Sequence, residues 1–409
     1  MNKQAESIEV WYGWVIIGAS VALGTIAQAA PNILFVSLKD IASDFGWPRA
    51  GPSMAFSLLM MGSGVGGIAM GLWMDKRGVI QPVLFGSVMI AIGAILAGHA
   101  SSRWDFYLAN GVLLGVFGEA AMIAPLIANV TRWFDRRRGL AVAIIASAQG
   151  MAGAIWPPVV RLLNDYGSWR DTYFYFGIFS LFTLIPLALL LKPKPPVAPA
   201  EVAQGADKGQ LRVLGYSPKT VQALFCVAVI GCCTAMAMPI VHLISHGTDL
   251  GFSHASSANM LSVLFGASFI SRIGFGMLAD RIGGVKTMLI ASSCQAVMLF
   301  MLAFVTSEIG LYITALMFGV GFAGIMPNYA LIIRLWYPSN QIGWRVAVIY
   351  LFAAIGMAWG GWLGGFLHDV NGTYMHAFLA GFGFNVMNLF VVGFLYLRQS
   401  QLRLNPLPV

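Results

Sequence analysis

The chain has 409 residues, of which 58% are hydrophobic and 10% charged, where a soluble domain carries roughly one-quarter charged residues. That composition excludes a water-soluble globule. The formal net charge of +8 would suit nucleic acid only if the cations formed a stripe beside stacking aromatics, and instead they sit in the loops between apolar stretches.

Those stretches read as twelve expected spans, each near the about 20 residues that a helix needs to cross about 30 Å of hydrocarbon. The first six are 12–35, 52–74, 80–100, 106–130, 139–160 and 172–191. The second six are 221–243, 257–279, 287–305, 311–333, 346–367 and 374–396. The first stretch is too long for a signal-peptide core and lacks a small-residue cleavage site, so it is expected to stay as an anchor. With the amino terminus in the cytoplasm, 18 of the 24 Lys and Arg fall in cytoplasmic loops and five outside, Lys39 and Arg49 among the five. This bias predicts an integral, multi-pass membrane protein with both termini cytoplasmic, and the compact loops suit a bacterial inner membrane. Cys226, Cys232, Cys233 and Cys294 all fall inside spans without metal-ligand spacing, so they read as small buried apolar groups; no metal and no cofactor is expected.

The chain repeats itself at offsets of 202 to 205. Gly71-Leu-Trp-Met-Asp75-Lys76-Arg77-Gly78 recurs as Gly276-Met-Leu-Ala-Asp280-Arg281-Ile282-Gly283. Ile123-Ala-Pro125 through Arg132-Trp133-Phe134 recurs as Ile325-Met-Pro327 through Arg334-Leu-Trp336-Tyr337, and Asp165 to Tyr173 matches Asp369 to Tyr374. Between the copies, a Pro-, Ala- and Lys-rich segment favours an extended linker. The expected organisation is an all-α membrane protein of two pseudo-symmetric six-helix bundles, 1–191 and 219–409, joined by a cytoplasmic linker, 192–218. Two parallel repeats of this kind describe a carrier with a substrate site near the bilayer midplane.

The duplicated Gly-x-x-x-Asp-basic-x-Gly loop resembles the signature loop of the major facilitator superfamily. Within it the chain is similar to the monocarboxylate transporters and their bacterial relatives, through Tyr12-Gly13-Trp14, the run Arg132-Trp133-Phe134-Asp135-Arg136-Arg137-Arg138-Gly139-Leu140-Ala141, and Arg272 in span eight. Neighbouring carriers, the oxalate and formate exchangers, share several of these features. The resemblance implies the major facilitator fold, alternating access, and a carboxylate-binding role for Arg272. It also marks two departures: Ala30-Pro31-Asn32 stands where animal monocarboxylate carriers have a lysine after the proline, and Ser268 where they have an aspartate four residues before the arginine.

Glu119 and Arg272 are the two charges well inside spans, where each costs about 2.5 to 3.5 kcal/mol on the insertion scale and is a functional candidate by default. A guanidinium offers a planar fork to a carboxylate, so Arg272 is the candidate anion site, with a structural partner for Glu119 as the alternative. For Glu119 two readings stand: a desolvated carboxyl that carries a proton, having taken over the acid role absent at Ser268, or a permanent counter-charge to Arg272. Asn32, Gln149, Asn328, Tyr329 and Tyr350 are polar residues in or near spans that either orient substrate or bond helix to helix. His242, near the expected end of span seven, reads as solvated. Asp75 and Asp280, beside Arg77 and Arg281 at helix ends, read as conformational locks. Gly62, Gly64, Gly66 and Gly67, and Gly360, Gly361, Gly364 and Gly365, allow close helix approach.

No phosphate-cradling loop, metal cluster or activated nucleophile is present in the sequence, so an enzyme is not expected. The expected function is alternating-access transport of a lactate- or pyruvate-like monocarboxylate with proton symport. Anion exchange of the oxalate/formate type, or import of another organic acid without protons, is the alternative. A non-transporting sensor would have been favoured by a large soluble loop. A small organic anion, protons and membrane lipid are the expected partners, nucleic acid is not, and a monomer is expected.

Overall fold

In hydrocarbon every backbone N–H and C=O must be satisfied within the chain, which leaves a long apolar chain few options besides helices. The computed structural model describes residues 10–134, 137–196, 213–337 and 341–404, and among them the one β contact is an isolated bridge between Val213 and Tyr216. Much of the linker, 197–212, lies outside the described residues.

The first repeat contributes α1 (Tyr12–Ala27), α2 (Ala29–Val36), α3 (Leu38–Phe45), α4 (Ala50–Arg77) and α5 (Ile80–Gly98). It continues with α6 (Arg103–Leu108), a π-helical segment (Ala109–Glu119), α7 (Ala120–Val130), α8 (Arg138–Ala146), α9 (Ala148–Tyr166) and α10 (Trp169–Leu189). The second contributes α11 (Pro218–Asp249), α12 (His254–Ile282), α13 (Gly284–Leu302), α14 (Glu308–Ala323), α15 (Ile325–Trp336), α16 (Ile342–Asn371) and α17 (Met375–Leu404). Eleven helices among the described residues are long and apolar enough to span a membrane. The fifth expected span, 139–160, is instead built of α8 and α9, which meet at Ser147, and α9 runs on past it to Tyr166.

Helix starts follow the sequence. Ser102 and Ser168 form capping boxes with Asp105 and Asp171, each serine oxygen accepting the backbone N–H three residues on, which satisfies donors that a helix leaves open. Ser307, 205 residues after Ser102, caps α14 with its hydroxyl on the Gly310 N–H, without the reciprocal acid. The signature loop is duplicated in conformation as well as in sequence: Gly78 and Gly283 have φ of 82° and 88°, a region L side chains avoid.

Proline marks the joints. Spans one, four, seven and ten carry Pro31, Pro125, Pro239 and Pro327. At two of them the next residue is asparagine, and its side chain repairs the turn: Asn32 Nδ2 donates to the Gln28 carbonyl at 2.7 Å and Asn328 Nδ2 to the Gly324 carbonyl at 2.5 Å. Proline removes an intrahelical donor, and the amide gives a carbonyl one turn back a partner. The chain changes helix at both places, from α1 to α2 at Gln28 and from α14 to α15 at Gly324.

Small residues set the closest helix contacts. A Cβ on Gly62 or Gly66 would strike the backbone oxygens of Gly111 or Val116 in the π-helical segment, and a Cβ on Gly319 would strike that of Leu264. The repeats reach the same contact from opposite partners: the glycine is on span two in the first and on span ten in the second. On α16, Gly360 lies against Thr234 and Gly364 against His242.

The helices group into two compact units, 1–34 with 61–204, and 35–60 with 205–409. In the first, α5 packs on α10 and on the π-helical segment; in the second, α11 packs on α16 and α17, and α12 on α14. The grouping therefore differs from the sequence halves by residues 35–60, whose helical ends are hydrogen-bonded to α11 and α16 residues described below.

Candidate functional site

In the first unit a polar site forms where two irregular helices lie together. Gln28 occupies the α1–α2 joint three residues before Pro31, in the turn the proline loosens. Glu119 closes the π-helical segment, where turns are wider than in an α-helix and which in proteins concentrates at functional sites. Glu119 is 3% exposed, and Gln28 Nε2 donates to its Oε1. Its Oε2 and the Asn32 Oδ1 are both buried without a hydrogen-bond partner. The joint is held by Trp156, whose Nε1 donates to the Thr25 carbonyl at 2.7 Å. A buried carboxyl whose partner is a neutral amide lacks the counter-charge that an ion pair supplies. The sequence reading missed Gln28; its position one turn before a mid-span proline was the available signal.

In the second unit Arg272 lies on α12 and is partly exposed. It is within electrostatic reach of Tyr350 on α16, a residue 50% exposed. A guanidinium with a phenol hydroxyl in electrostatic reach is a donor set that fits a carboxylate. Ser268, one turn earlier, is buried with its hydroxyl on the Phe265 carbonyl at 2.7 Å.

The remaining candidates divide. Gln149 is exposed on α9. Tyr329 is fully buried, its hydroxyl donating to Asn388 Oδ1 at 2.9 Å, and Asn388 in turn donates to Ser292 Oγ at 2.6 Å. Asn328 is 3% exposed with its amide on the α14–α15 joint. In this structure Tyr329 thus bonds to another helix, and Asn328 bonds within its own span. His242 is not solvated: α11 continues to Asp249, beyond the expected end at 243, so His242 is 0% exposed and its Nε2 bonds the Gly361 carbonyl at 2.8 Å. Of the lock residues, the side chain of Asp75 lies outside the described residues, and Arg77, Asp280 and Arg281 are exposed. Among the described residues no ion pair joins Asp280 and Arg281. The dense charge cluster is at the other end of α4, where Arg49 binds Asp249 through both guanidinium nitrogens, with 2.7 Å from Nη2 to Oδ1. Among the described residues no group of His, Cys, Asp and Glu is arranged to hold a metal.

Comparison with known proteins agrees with this architecture. The sequence model described as Major Facilitator Superfamily matches residues 20–220 and 223–408. Monocarboxylate transporter 13 of Bos taurus is 24% identical over 390 residues, covering 94% of this chain and 89% of its own. Monocarboxylate transporter 11 of Homo sapiens is 29% identical over 287 residues, covering 66% of this chain and 57% of its own. The Bacillus subtilis MFS-type transporter YcxA is 25% identical, covering 82% and 83%. Among solved structures, a bacterial homolog of the human lysosomal transporter Spinster, in an inward-facing and occupied conformation, superposes with a TM-score of 0.71 at 13% identity over 95% of this chain and 97% of its own. The peptide transporter POT in complex with alafosfalin gives 0.73 at 13%, covering 93% of each chain.

Proposed function

The chain belongs to the Major Facilitator Superfamily, and from that premise we propose that it is a secondary carrier for a small organic monocarboxylate, working by alternating access with a proton carried on Glu119. It resembles monocarboxylate carriers along most of its length, and its own residues supply the parts. Arg272 and Tyr350 receive the carboxylate; Gln149 and Asn32, in the first unit, are further candidates for substrate contact. Glu119 takes a proton in one state of the cycle and releases it in the other, with Gln28 as the donor that steadies the ionised form. The observation that carries the proton reading is the neutral partner: Glu119 is 3% exposed, and Gln28 is the hydrogen-bond partner of its Oε1. Asp75, Arg77, Asp280 and Arg281 remain our candidates for contacts that form at the cytoplasmic loops in another state. A bacterial inner membrane with both termini cytoplasmic is the proposed setting, and a monomer the proposed form.

Purified protein in liposomes tests this. An inward proton gradient is expected to drive accumulation of labelled lactate or pyruvate, and Arg272→Lys, which keeps the charge and removes the fork, to abolish it. Accumulation that ignores the gradient, with exchange intact, would favour the second reading. That reading has its own support, since Asn32 and Ser268 occupy places where animal carriers of this type hold ionisable groups: the protein would then exchange organic anions without protons.

A further inference from the structure

In the second unit, residues 35–60 are tied to α11 and α16 by a lattice of charges. Asp249 accepts from both guanidinium nitrogens of Arg49 and pairs with Lys39 Nζ at 2.6 Å. Asp369 accepts the backbone N–H groups of Arg49 and Ala50 at 2.9 and 2.8 Å, capping the start of α4, where the helix dipole favours an anion. Burial alone would lower the Arg49 pKa, but its bonds to Asp249 and Tyr374 hold the guanidinium above its ordinary range. Asp249 thus balances Arg49 and Lys39, and Asp369 the start of α4.

His368 sits inside this balance. Its Nε2 is 3.0 Å from Arg49 Nη1 and 3.4 Å from Asp249 Oδ2, its Nδ1 is 3.8 Å from Asp369 Oδ1, and its ring lies 4.4 Å from that of Tyr374. Arginine has no lone pair to offer, so at 3.0 Å Nη1 donates and Nε2 accepts. A proton on Nε2 would set two donors face to face and add a third positive charge beside Arg49. Nearby lie two more imidazoles of α11: His242, tilted against the Tyr374 ring at 5.1 Å, and His246, edge-on to it at 6.0 Å. Both are buried, and His242 Nδ1 and His246 Nε2 have no hydrogen-bond partner. Farther out, His254 Nε2 bonds the Val36 carbonyl and acts on Asp40, whose carboxyl burial raises above its ordinary range.

We infer that this lattice is a proton-released latch: protonation of His368 ejects Arg49 from its seat between Asp249 and the imidazole, and the segment 35–60 parts from α11 and α16. The latch rests on the carrier reading only in requiring that these segments separate. It is independent of the solute and of Glu119, and it places a second proton-sensitive step at the end of the helices where spans one and two, seven and eight, and eleven and twelve are joined.

The test is a distance, measured without substrate, so that its failure is separate from any failure of uptake. Spin labels at Ser43 and Asn371, both exposed, are introduced in full-length protein whose four cysteines are replaced, in lipid nanodiscs. Pulsed dipolar spectroscopy then compares about pH 8 with about pH 5.5, which brackets the ordinary imidazole range. The separated population is expected to grow on acidification by up to about tenfold per pH unit, the limit for one linked proton. It should be independent of pH in His368→Gln and in His368→Asn, and large at both pH values in Asp249→Asn. His242→Gln, His246→Gln and His254→Gln should keep the pH step. A step that survives both His368 variants, a step that vanishes with any other histidine instead, or an Asp249→Asn protein that stays closed would each overturn the inference.

Discussion

The two proline joints place the same device in two different settings. At Pro31 the loosened turn exposes Gln28, which reaches an ionisable acid, Glu119. At Pro327 the turn is repaired by Asn328, and the neighbouring Tyr329 enters a network of neutral groups, Asn388, Ser292 and Asn385. The first joint holds a group whose charge can change; the second holds groups whose bonds are complete. A buried network that is fully bonded stiffens its surroundings, whereas Glu119 keeps one buried oxygen without a hydrogen-bond partner. On this difference rests our proposal that the proton step lies in the first unit, and that Arg272 and Tyr350 in the second bind the anion.

Variants separate these roles. The largest effect is expected for Arg272→Lys: losing the planar fork removes charge-assisted bonds of about 1.5 to 3 kcal/mol, or about a hundredfold in uptake, while thermal unfolding of the purified protein is unchanged. Tyr329→Phe should do the opposite, leaving Asn388 Oδ1 short of its donor and lowering stability by about 1 to 3 kcal/mol, seen as a lower unfolding temperature with an unchanged KM. If Tyr329→Phe instead raises KM, the second joint belongs to the substrate site. Gln28→Leu strips the ionised form of Glu119 of its donor, and proton-driven uptake should fall by about tenfold, the equivalent of one hydrogen bond of about 1.4 kcal/mol, with exchange less affected. Tyr350→Phe should be mildest, raising KM about fivefold through the loss of about 1 kcal/mol of hydrogen bonding, measured in the same uptake assay.

Much of this molecule is written locally. Apolar length, the capping serines and the repeated loop glycines are properties of short segments, so eleven of the expected spans and the buried Glu119 could be read without coordinates. What depended on tertiary placement could not. Gln28 and Glu119 are 91 residues apart, and nothing in either segment announces the other. Arg49, Asp249 and Asp369 each look like ordinary loop charges; only folding brings together groups separated by 200 and 320 residues. The motif that repeats from Asp165 to Tyr173 and from Asp369 to Tyr374 marks the duplication, but its copies diverge. Asp165 pairs with Arg161 at 2.7 Å on its own helix, whereas Asp369 caps α4. His242 was misjudged because an apolar stretch fixes a span only to within a turn or two, and α11 continues beyond the apolar core.

The central claim is that Glu119 carries the proton. In liposomes loaded with a pH-sensitive dye, addition of lactate or pyruvate should acidify the lumen with the wild-type protein, and Glu119→Gln should abolish the acidification while retaining exchange of labelled solute across the membrane. Acidification of wild-type size from Glu119→Gln would contradict the account.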